Sequence, residues 1–285
     1  MYKKIVVGTD FSPTAGIATD RSAWLAEKLG AELILVHAGS REEELEALGQ
    51  KYGAKAHLET GNPAEVLISA VEQFGADLLA TGSVGMSGAR RFMLGNVPNK
   101  VSHHAPTDLL IVKTDAPSSS GGGYHRILVG TDGSRTATRA VEMASSLAAS
   151  LGAKPTIVCV YEPPTEDELK RLRSDPNDPV AQWKSDRVSR ETPDEFKWRI
   201  AGAAQAEDVL ERAAEHASKM NAEAEVRAIE GSPAETLISL AENEGFDLIV
   251  VGSVGMRGSK RFMLGNVPHK ISHHAPTDVL IFRTT

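Results

Sequence analysis

The sequence IVVGTD at residues 5–10 predicts a buried strand, because it is a short apolar run that ends at a glycine and an acidic residue. It recurs as ILVGTD at residues 127–132, and GSVGM at residues 82–86 recurs at 252–256. The distance between the copies grows from 122 to 170 residues, so the second copy carries 48 more residues. Self-similarity on this scale indicates one domain present twice.

The repeat predicts a boundary near the middle of the chain. We expect a first domain over residues 1–114, a linker over 115–123 and a second domain over 124–285. The linker sequence DAPSSSGGG has the composition of a flexible connection. Most of the additional residues fall near 162–195, a proline-containing, charged stretch that we expect to be an exposed insertion.

Composition excludes several classes of protein. Of the 285 residues, 41% are hydrophobic and 24% charged, which is ordinary for globular domains, and the net charge of -7 argues against general nucleic-acid binding. Cys159 is the single cysteine, so a disulfide framework is excluded and a reducing cytoplasm is expected. No apolar run reaches the length of a membrane helix, and the first residues enter a strand pattern without the features of a secretory leader.

Short β-branched runs alternate with longer amphipathic segments in both copies. This alternation predicts an α/β fold in which each copy forms a parallel sheet covered by helices on both faces. Predicted helices include Ala15–Leu29, Glu42–Tyr52, Pro63–Phe74, Glu195–Met220 and Pro233–Glu244. Helix ends are predicted at Gly30, Gly75, Gly152 and Gly245. The predicted strands are Lys4–Gly8, Glu32–His37, Ala54–Glu59, Asp77–Thr81, Asp108–Val112, Arg126–Gly130, Lys154–Val160, Ala222–Ile229, Asp247–Val251 and Asp278–Phe282.

The first candidate site motif follows the first strand of each copy. Thr9-Asp10, repeated as Thr131-Asp132, stands at a carboxyl strand end, where open parallel sheets bind their ligands. The carboxylate has two interpretations. It either accepts hydrogen bonds from a ribose or holds a metal ion, or it caps the following helix.

The second motif is a glycine-rich segment after the fourth strand. Gly82, Gly85 and Gly95-Asn96 have the spacing G-x2-G-x9-G-N, and Gly252, Gly255 and Gly265-Asn266 repeat it. Glycine lets backbone amides approach an anion closely. Asn96 and Pro98 predict a helix start, with asparagine as the cap, and a helix N-terminus attracts phosphate. Arg90, Arg91, Lys260 and Arg261 either add positive charge there or are plain surface residues.

Taken together, the doubled motifs resemble those of a tandem universal stress protein, over nearly the whole of both halves. The ATP-binding members of that family carry an Asp after the first strand and G-x2-G-x9-G-(S/T) after the fourth. This chain meets both spacings twice, but Asn96 and Asn266 stand where the family has serine or threonine. An amide group can donate to a phosphate oxygen but cannot reproduce a hydroxyl contact. The resemblance therefore implies nucleotide binding and leaves the choice between ATP, ADP and AMP open.

The same resemblance implies the rest of the site and the assembly. It implies five strands in the order 3-2-1-4-5 in each half, adenine resting near Val36 and Val158, and ATP accompanied by Mg²⁺. It also implies that the halves pair through their last strands as an internal pseudo-dimer, with a homodimer as a further option. The complete set of expected nucleotide-binding residues is Thr9, Asp10, Val36, Gly82, Gly85, Gly95, Asn96, Val97, Thr131, Asp132, Val158, Gly252, Gly255, Gly265, Asn266 and Val267.

Two pairs of adjacent histidines raise the question of a metal site. His103-His104 and His273-His274 are adjacent on predicted helices, and adjacent side chains point about 100° apart, so neither pair alone can chelate an ion. We expect them to contact carbonyls at the helix ends, and we expect no metal ligands.

The sequence leaves three functions open. The leading one is a regulatory protein that binds adenine nucleotides and an unidentified protein partner. The second is an interaction protein that needs no nucleotide, and the third is a slow ATPase or phosphotransferase. No nucleophile-and-base arrangement is recognisable, so weak ATP hydrolysis or autophosphorylation is the most activity we expect.

Overall fold

A computed structural model describes residues 1–84, 94–113, 123–162, 194–255 and 264–283. The first half contains β1 (Lys4–Gly8), α1 (Pro13–Leu29), β2 (Glu32–Ala38), α2 (Glu42–Tyr52), β3 (Lys55–Glu59), α3 (Pro63–Phe74), β4 (Leu78–Gly82), α4 (Asn96–His104) and β5 (Asp108–Val112). The second contains β6 (Arg126–Gly130), α5 (Arg135–Leu151), β7 (Lys154–Tyr161), α6 (Asp194–Lys219), β8 (Glu225–Glu230), α7 (Pro233–Glu244), β9 (Leu248–Gly252), α8 (Asn266–His274) and β10 (Asp278–Phe282).

Local sequence explains where the helices begin and end. Ser12 and Ser134 accept hydrogen bonds from amides in the first turns of α1 and α5, and Asn62 does so for α3. Five helices, α1, α2, α3, α5 and α7, end at a glycine with φ between 59° and 67°. That left-handed conformation stops a helix at little cost when no Cβ is present.

The strands form one continuous sheet in the order β3-β2-β1-β4-β5-β10-β9-β6-β7-β8. Within each half, the order 3-2-1-4-5 and the parallel pairing are as predicted. The two five-stranded sheets are joined edge to edge, because β5 pairs antiparallel with β10, with Leu110 opposite Leu280. The division into domains at residue 114 stays a prediction, because residues 114–122 lie outside the described ranges.

The core lies in two layers, one on each face of the sheet, and both layers run through both halves. Alternating residues of one strand serve opposite faces: Val7 belongs to the layer covered by α1, and Val6 to the layer covered by α3. The central strands β4 and β5 are buried along their whole length. Strands buried on both faces are expected to be almost uniformly apolar, as these are.

Buried polar groups also connect the halves. Asp108 accepts hydrogen bonds from Tyr2 Oη at 2.8 Å and from the amide of Arg283 at 2.7 Å. Asp278 repeats this with Tyr124 Oη at 2.9 Å and the amide of Lys113 at 2.8 Å. Each carboxylate therefore bonds a strand end of the opposite half, and burial raises the pKa of both to about 6.

Candidate functional site

A cavity of about 470 Å³ opens at the carboxyl ends of β1, β2 and β4. The cavity lies between β1 and β4, where the strand order changes direction. Strands β2 and β3 lie on one side of β1, and β4 and β5 lie on the other. The N-terminus of α4 closes the remaining wall. The residues that line the cavity are Gly8, Thr9, Asp10, Ala15, Val36, His37, Ala38, Arg41, Pro63, Leu67, Thr81, Gly82, Val84, Gly95, Asn96, Val97 and Pro98.

The structure thus brings together seven of the predicted nucleotide-binding residues of the first half. They come from three strand ends and one helix start, and they are Thr9, Asp10, Val36, Gly82, Gly95, Asn96 and Val97. The eighth, Gly85, lies outside the described residues, as do Arg90, Arg91, Lys260 and Arg261.

Asp10 is part of the turn that leads from β1 into α1. Its Oδ1 accepts a hydrogen bond from the amide of Ser12 at 3.0 Å, which holds the turn closed. The residue that caps α1 is Ser12, whose hydroxyl accepts from the amide of Ala15 at 3.2 Å. The alternative that Asp10 is the helix cap is therefore wrong, and its carboxylate lies on the cavity wall instead.

Three side chains that sequence reasoning missed, one from the β1–α1 turn and two from the end of β2 and the residues after it, meet beside the cavity. Phe11 has φ of 60°, unusual for a residue with a side chain, and its ring lies 4.7 Å from that of His37. The guanidinium of Arg41 lies 4.2 Å from the centre of the Phe11 ring. His37 Nδ1 is 2.8 Å from the carbonyl oxygen of Thr9, which ties β2 to the end of β1. Arg41 and His37 line the cavity, so its β2 side is built from a cation and an imidazole.

The start of α4 differs from the prediction at two residues. Gly95, with extended backbone, is the cap, and Asn96 is the first helical residue, so the prediction of Asn96 as the cap is wrong. The amide of Gly95 donates to the carbonyl of Ser83 at 2.8 Å, which anchors the end of the glycine segment to β4. The first-turn amides of Asn96 and Val97 have no carbonyl four residues earlier within the helix to accept from them, and Pro98 has no amide hydrogen. The donors at this helix start are consequently Asn96 and Val97.

The second half repeats these contacts closely. The amide of Thr131 donates to Val158 at 2.9 Å, Asp132 Oδ1 accepts from the amide of Ser134 at 3.0 Å, and the amide of Gly265 donates to Ser253 at 2.7 Å. Gly265 caps α8, and Asn266 and Val267 are its first residues. Gly252 ends β9 at the same edge.

Two differences distinguish the second half. Gly133 replaces Phe11, and Cys159 replaces His37, with burial raising the pKa of the thiol to about 11. Gly255 approaches Asp132 so closely that a Cβ on it would lie 2.6 Å from Oδ2 of the carboxylate. The glycine segment of the second half therefore passes close to the predicted ribose-binding residue, and a side chain at Gly255 would require the Asp132 carboxylate to move.

Some of the repeated glycines have a packing role. A Cβ at Gly8 would lie 2.9 Å from both methyl carbons of Leu67, and one at Gly130 would lie 2.7 Å from a methyl carbon of Leu237. Helices α3 and α7 consequently pack directly against the ends of β1 and β6. This close approach is a reason for glycine at residues 8 and 130.

The described residues lack the features of a membrane-spanning protein helix and of a side-chain metal cluster. They contain no helix that is both long and apolar enough to cross a membrane. They also contain no group of three or more His, Cys, Asp or Glu side chains arranged to hold a metal ion.

The sequence is similar to that of a known protein family. Residues 1–56, 38–113 and 123–283 match the sequence profile of the Universal stress protein family. The chain belongs to the universal stress protein family. A universal stress protein of Mycobacterium tuberculosis is 35% identical over 163 residues, which are 57% of this chain and 98% of the relative.

A solved universal stress protein shares the fold over nearly the whole chain. One from Archaeoglobus fulgidus matches with a TM-score of 0.63 at 19% identity, covering 98% of both chains. Another, a universal stress protein in complex with cAMP, is 33% identical and covers 57% of this chain and all of its own, with a TM-score of 0.40. The first agreement extends over both halves, as expected for a tandem arrangement of this fold.

Proposed function

We propose that this universal stress protein is a regulatory protein that binds adenine nucleotides. The observation that carries the proposal is one cavity walled at once by the ends of β1, β2 and β4 and by the start of α4. Its volume of about 470 Å³ lies in the range of small-molecule sites. Its position is the one at which open parallel sheets bind ligands.

Each wall of the cavity suits a different part of a nucleotide. The α4 N-terminus offers the amides of Asn96 and Val97, and the positive end of the helix dipole, to phosphate oxygens. Asp10 can accept hydrogen bonds from ribose hydroxyls, and the apolar side chains of Val36 and Leu67 suit the face of adenine. Equivalent groups in the second half, Asp132, Val158, Asn266 and Val267, extend the proposal to a second site.

Mg²⁺ would reach such a site on the phosphates. Magnesium prefers oxygen ligands and keeps several waters, and Asp10 is the one carboxylate among the described residues that line the cavity. One carboxylate is enough for a Mg²⁺ ion that arrives already bound to the phosphates of the nucleotide. The ion would neutralise part of the phosphate charge in the site. Asn96 and Asn266 replace the family's hydroxyl, so we expect ADP and AMP to compete well with ATP.

Substitution of Asn96 by proline tests the phosphate wall directly. Proline removes the amide hydrogen but is favoured at a first helical position, and the extended Gly95 before it suits a following proline. We expect titration calorimetry to show ATP and ADP affinity at the first site weakened about tenfold or more, as for a lost charge-assisted hydrogen bond, and adenosine affinity unchanged.

Three controls complete this experiment. Asn96→Ala removes the side chain and keeps the backbone amide, and Asn266→Pro removes the corresponding amide of the second half. Thermal unfolding checks that each variant is folded. The proposal is wrong if the unaltered protein shows neither heat nor a shift in thermal midpoint with ATP, ADP or AMP at millimolar concentration.

A second candidate function is protein interaction without a nucleotide. It is favoured by the amides of Gly95 and Gly265, which are already bonded to Ser83 and Ser253, and by the packing role of Gly8 and Gly130. In that case a partner would bind the Asn96→Pro, Asn266→Pro double variant as well as the unaltered protein, with or without nucleotide. The buried single cysteine is compatible with the reducing cytoplasm, where we place the protein.

A further inference from the structure

Three histidine rings meet where α4 of the first half faces α8 of the second. His269 and His273 lie on α8 with ring centres 4.6 Å apart, and His103 of α4 lies 5.7 Å from His269. His269 and His273 are four residues apart in the sequence, so they share one face of the helix. This spacing differs from that of the adjacent pair His273-His274, which points to two faces.

Two ring nitrogens in this cluster are buried without a hydrogen-bond partner. They are Nδ1 of His269 and Nε2 of His273, one on each ring of the i,i+4 pair. A buried polar nitrogen that makes no hydrogen bond is costly, so each such atom needs a physical explanation. A shared ligand would satisfy both.

The chemistry of the two donor atoms favours a metal ion as that ligand. Both atoms are imidazole nitrogens, and their rings lie one helical turn apart with centres separated by 4.6 Å. Imidazole is a preferred ligand of Zn²⁺, Ni²⁺ and Cu²⁺.

Two positively charged side chains lie beside the histidine cluster and lower its affinity for a metal ion. Lys113 Nζ donates to the carbonyls of Ser272 at 2.7 Å and His273 at 3.4 Å, and Arg283 donates to the carbonyl of Ser102. Their positive charges are directed at helix C-termini, which partly offsets them. We therefore expect moderate affinity, of the order of micromolar, with water completing the coordination.

We propose that Nδ1 of His269 and Nε2 of His273 chelate a divalent transition-metal ion at the junction of the two halves. The site has two protein ligands, which agrees with the finding that no three such side chains of the described residues are arranged around one point. Mg²⁺ and Ca²⁺ are not expected to bind this pair, because both ions are hard cations that prefer oxygen ligands.

The first half supplies the matched variant. Asn99 occupies the position of His269 on α4, so His269→Asn gives α8 the residue that the equivalent helix already has. Protein stripped with a chelator is titrated with Zn²⁺ and, separately, Ni²⁺ by calorimetry at pH 7. We expect one equivalent to bind, at least tenfold more weakly in His269→Asn, and with unchanged affinity in the exposed control His274→Asn.

A second variant and a second readout keep the test decisive. His273→Gln removes the other ligand, and Cu²⁺ bound to the unaltered protein is expected to show nitrogen coupling from two imidazoles in its electron paramagnetic resonance spectrum. Absence of binding at 100-fold excess metal would overturn the proposal, and so would an affinity in His269→Asn or His273→Gln that equals that of the unaltered protein. So would loss of affinity in His274→Asn to the same extent as in His269→Asn.

Discussion

Phe11 and Gly133 occupy the same place in the two halves, and their surroundings explain why the residues differ. Both have positive φ, 60° and 76°. In the first half the Phe11 ring fills space between His37 and Arg41, whereas in the second half Val209 of α6 fills it. A Cβ on Gly133 would lie 2.8 Å from a methyl carbon of Val209. The longer helix of the second half therefore requires glycine where the first half tolerates an aromatic residue.

Replacement of Gly133 by alanine measures that requirement. We expect Gly133→Ala to lower the free energy of unfolding by about 2–4 kcal/mol, from the left-handed backbone conformation together with overpacking against Val209. Gly152→Ala is the matched control, because Gly152 has φ of 67° and open space around its Cβ position. It should cost only about 1 kcal/mol in denaturant unfolding. Equal losses in the two variants would contradict the packing argument.

The helix starts show how a single hydroxyl acts at the scale of an element. Ser134 and Ser232 both precede helices, but only Ser134 is seen to accept a cap hydrogen bond, from the amide of Ala137 at 3.2 Å. We expect Ser134→Ala to destabilise the protein by about 1 kcal/mol and Ser232→Ala by clearly less. Chemical denaturation of both variants in parallel provides the measurement. A larger loss in Ser232→Ala would show that the hydroxyl bond does not set the stability of these helix starts.

Most boundaries of helices could be predicted from the sequence, because proline marks where they begin and glycine marks where they end. Pro63 and Gly75 bound α3, and Pro233 and Gly245 bound α7, as predicted. The predicted start of α1 at Ala15 was two residues late because Ser12-Pro13 is the true cap and first turn. Strand β8 is shorter than expected, beginning at Glu225, since charged edge positions blur the apolar pattern.

The candidate site could be predicted only in part, for a physical reason. Residues in repeated motifs, such as Asp10 and Gly82, were found because the spacing occurs twice. Phe11, His37 and Arg41 were missed because their contacts join the β1–α1 turn to the end of β2 and the residues after it, a long-range relation with no periodic signature. The one sequence clue was the mismatch between Phe11 and Gly133 within an otherwise repeated stretch.

At the scale of the whole molecule, the buried carboxylates at the junction make stability depend on pH. Burial raises the pKa of Asp278 to about 6, against a lowering influence of Arg21 and of the hydrogen bonds from Lys113 and Tyr124. A raised carboxyl pKa means that the folded protein takes up a proton at a pH where the unfolded chain does not. The contribution of this group to stability therefore grows as pH falls from about 6 to about 4.

Comparison with Asp278→Asn isolates this effect. The free energy of unfolding of the unaltered protein, minus that of the variant, should rise by up to about 3 kcal/mol between pH 6.5 and pH 4. Asp108→Asn should show the same slope, because burial raises the pKa of Asp108 to about 6 as well. Unfolding in denaturant at several pH values gives the slope. A difference that stays constant or falls on acidification would contradict a raised pKa in the folded state.

The antiparallel contact between β5 and β10 lies within one chain, and this has a consequence for how the protein behaves on dilution. Two separate copies of such a fold would meet by collision and would separate as their concentration fell. Here the polypeptide tether keeps each half at a high effective concentration for the other, commonly millimolar for short flexible tethers. The assembled form is thus insensitive to expression level, and the strands left at the outer margins of the sheet are β3 and β8.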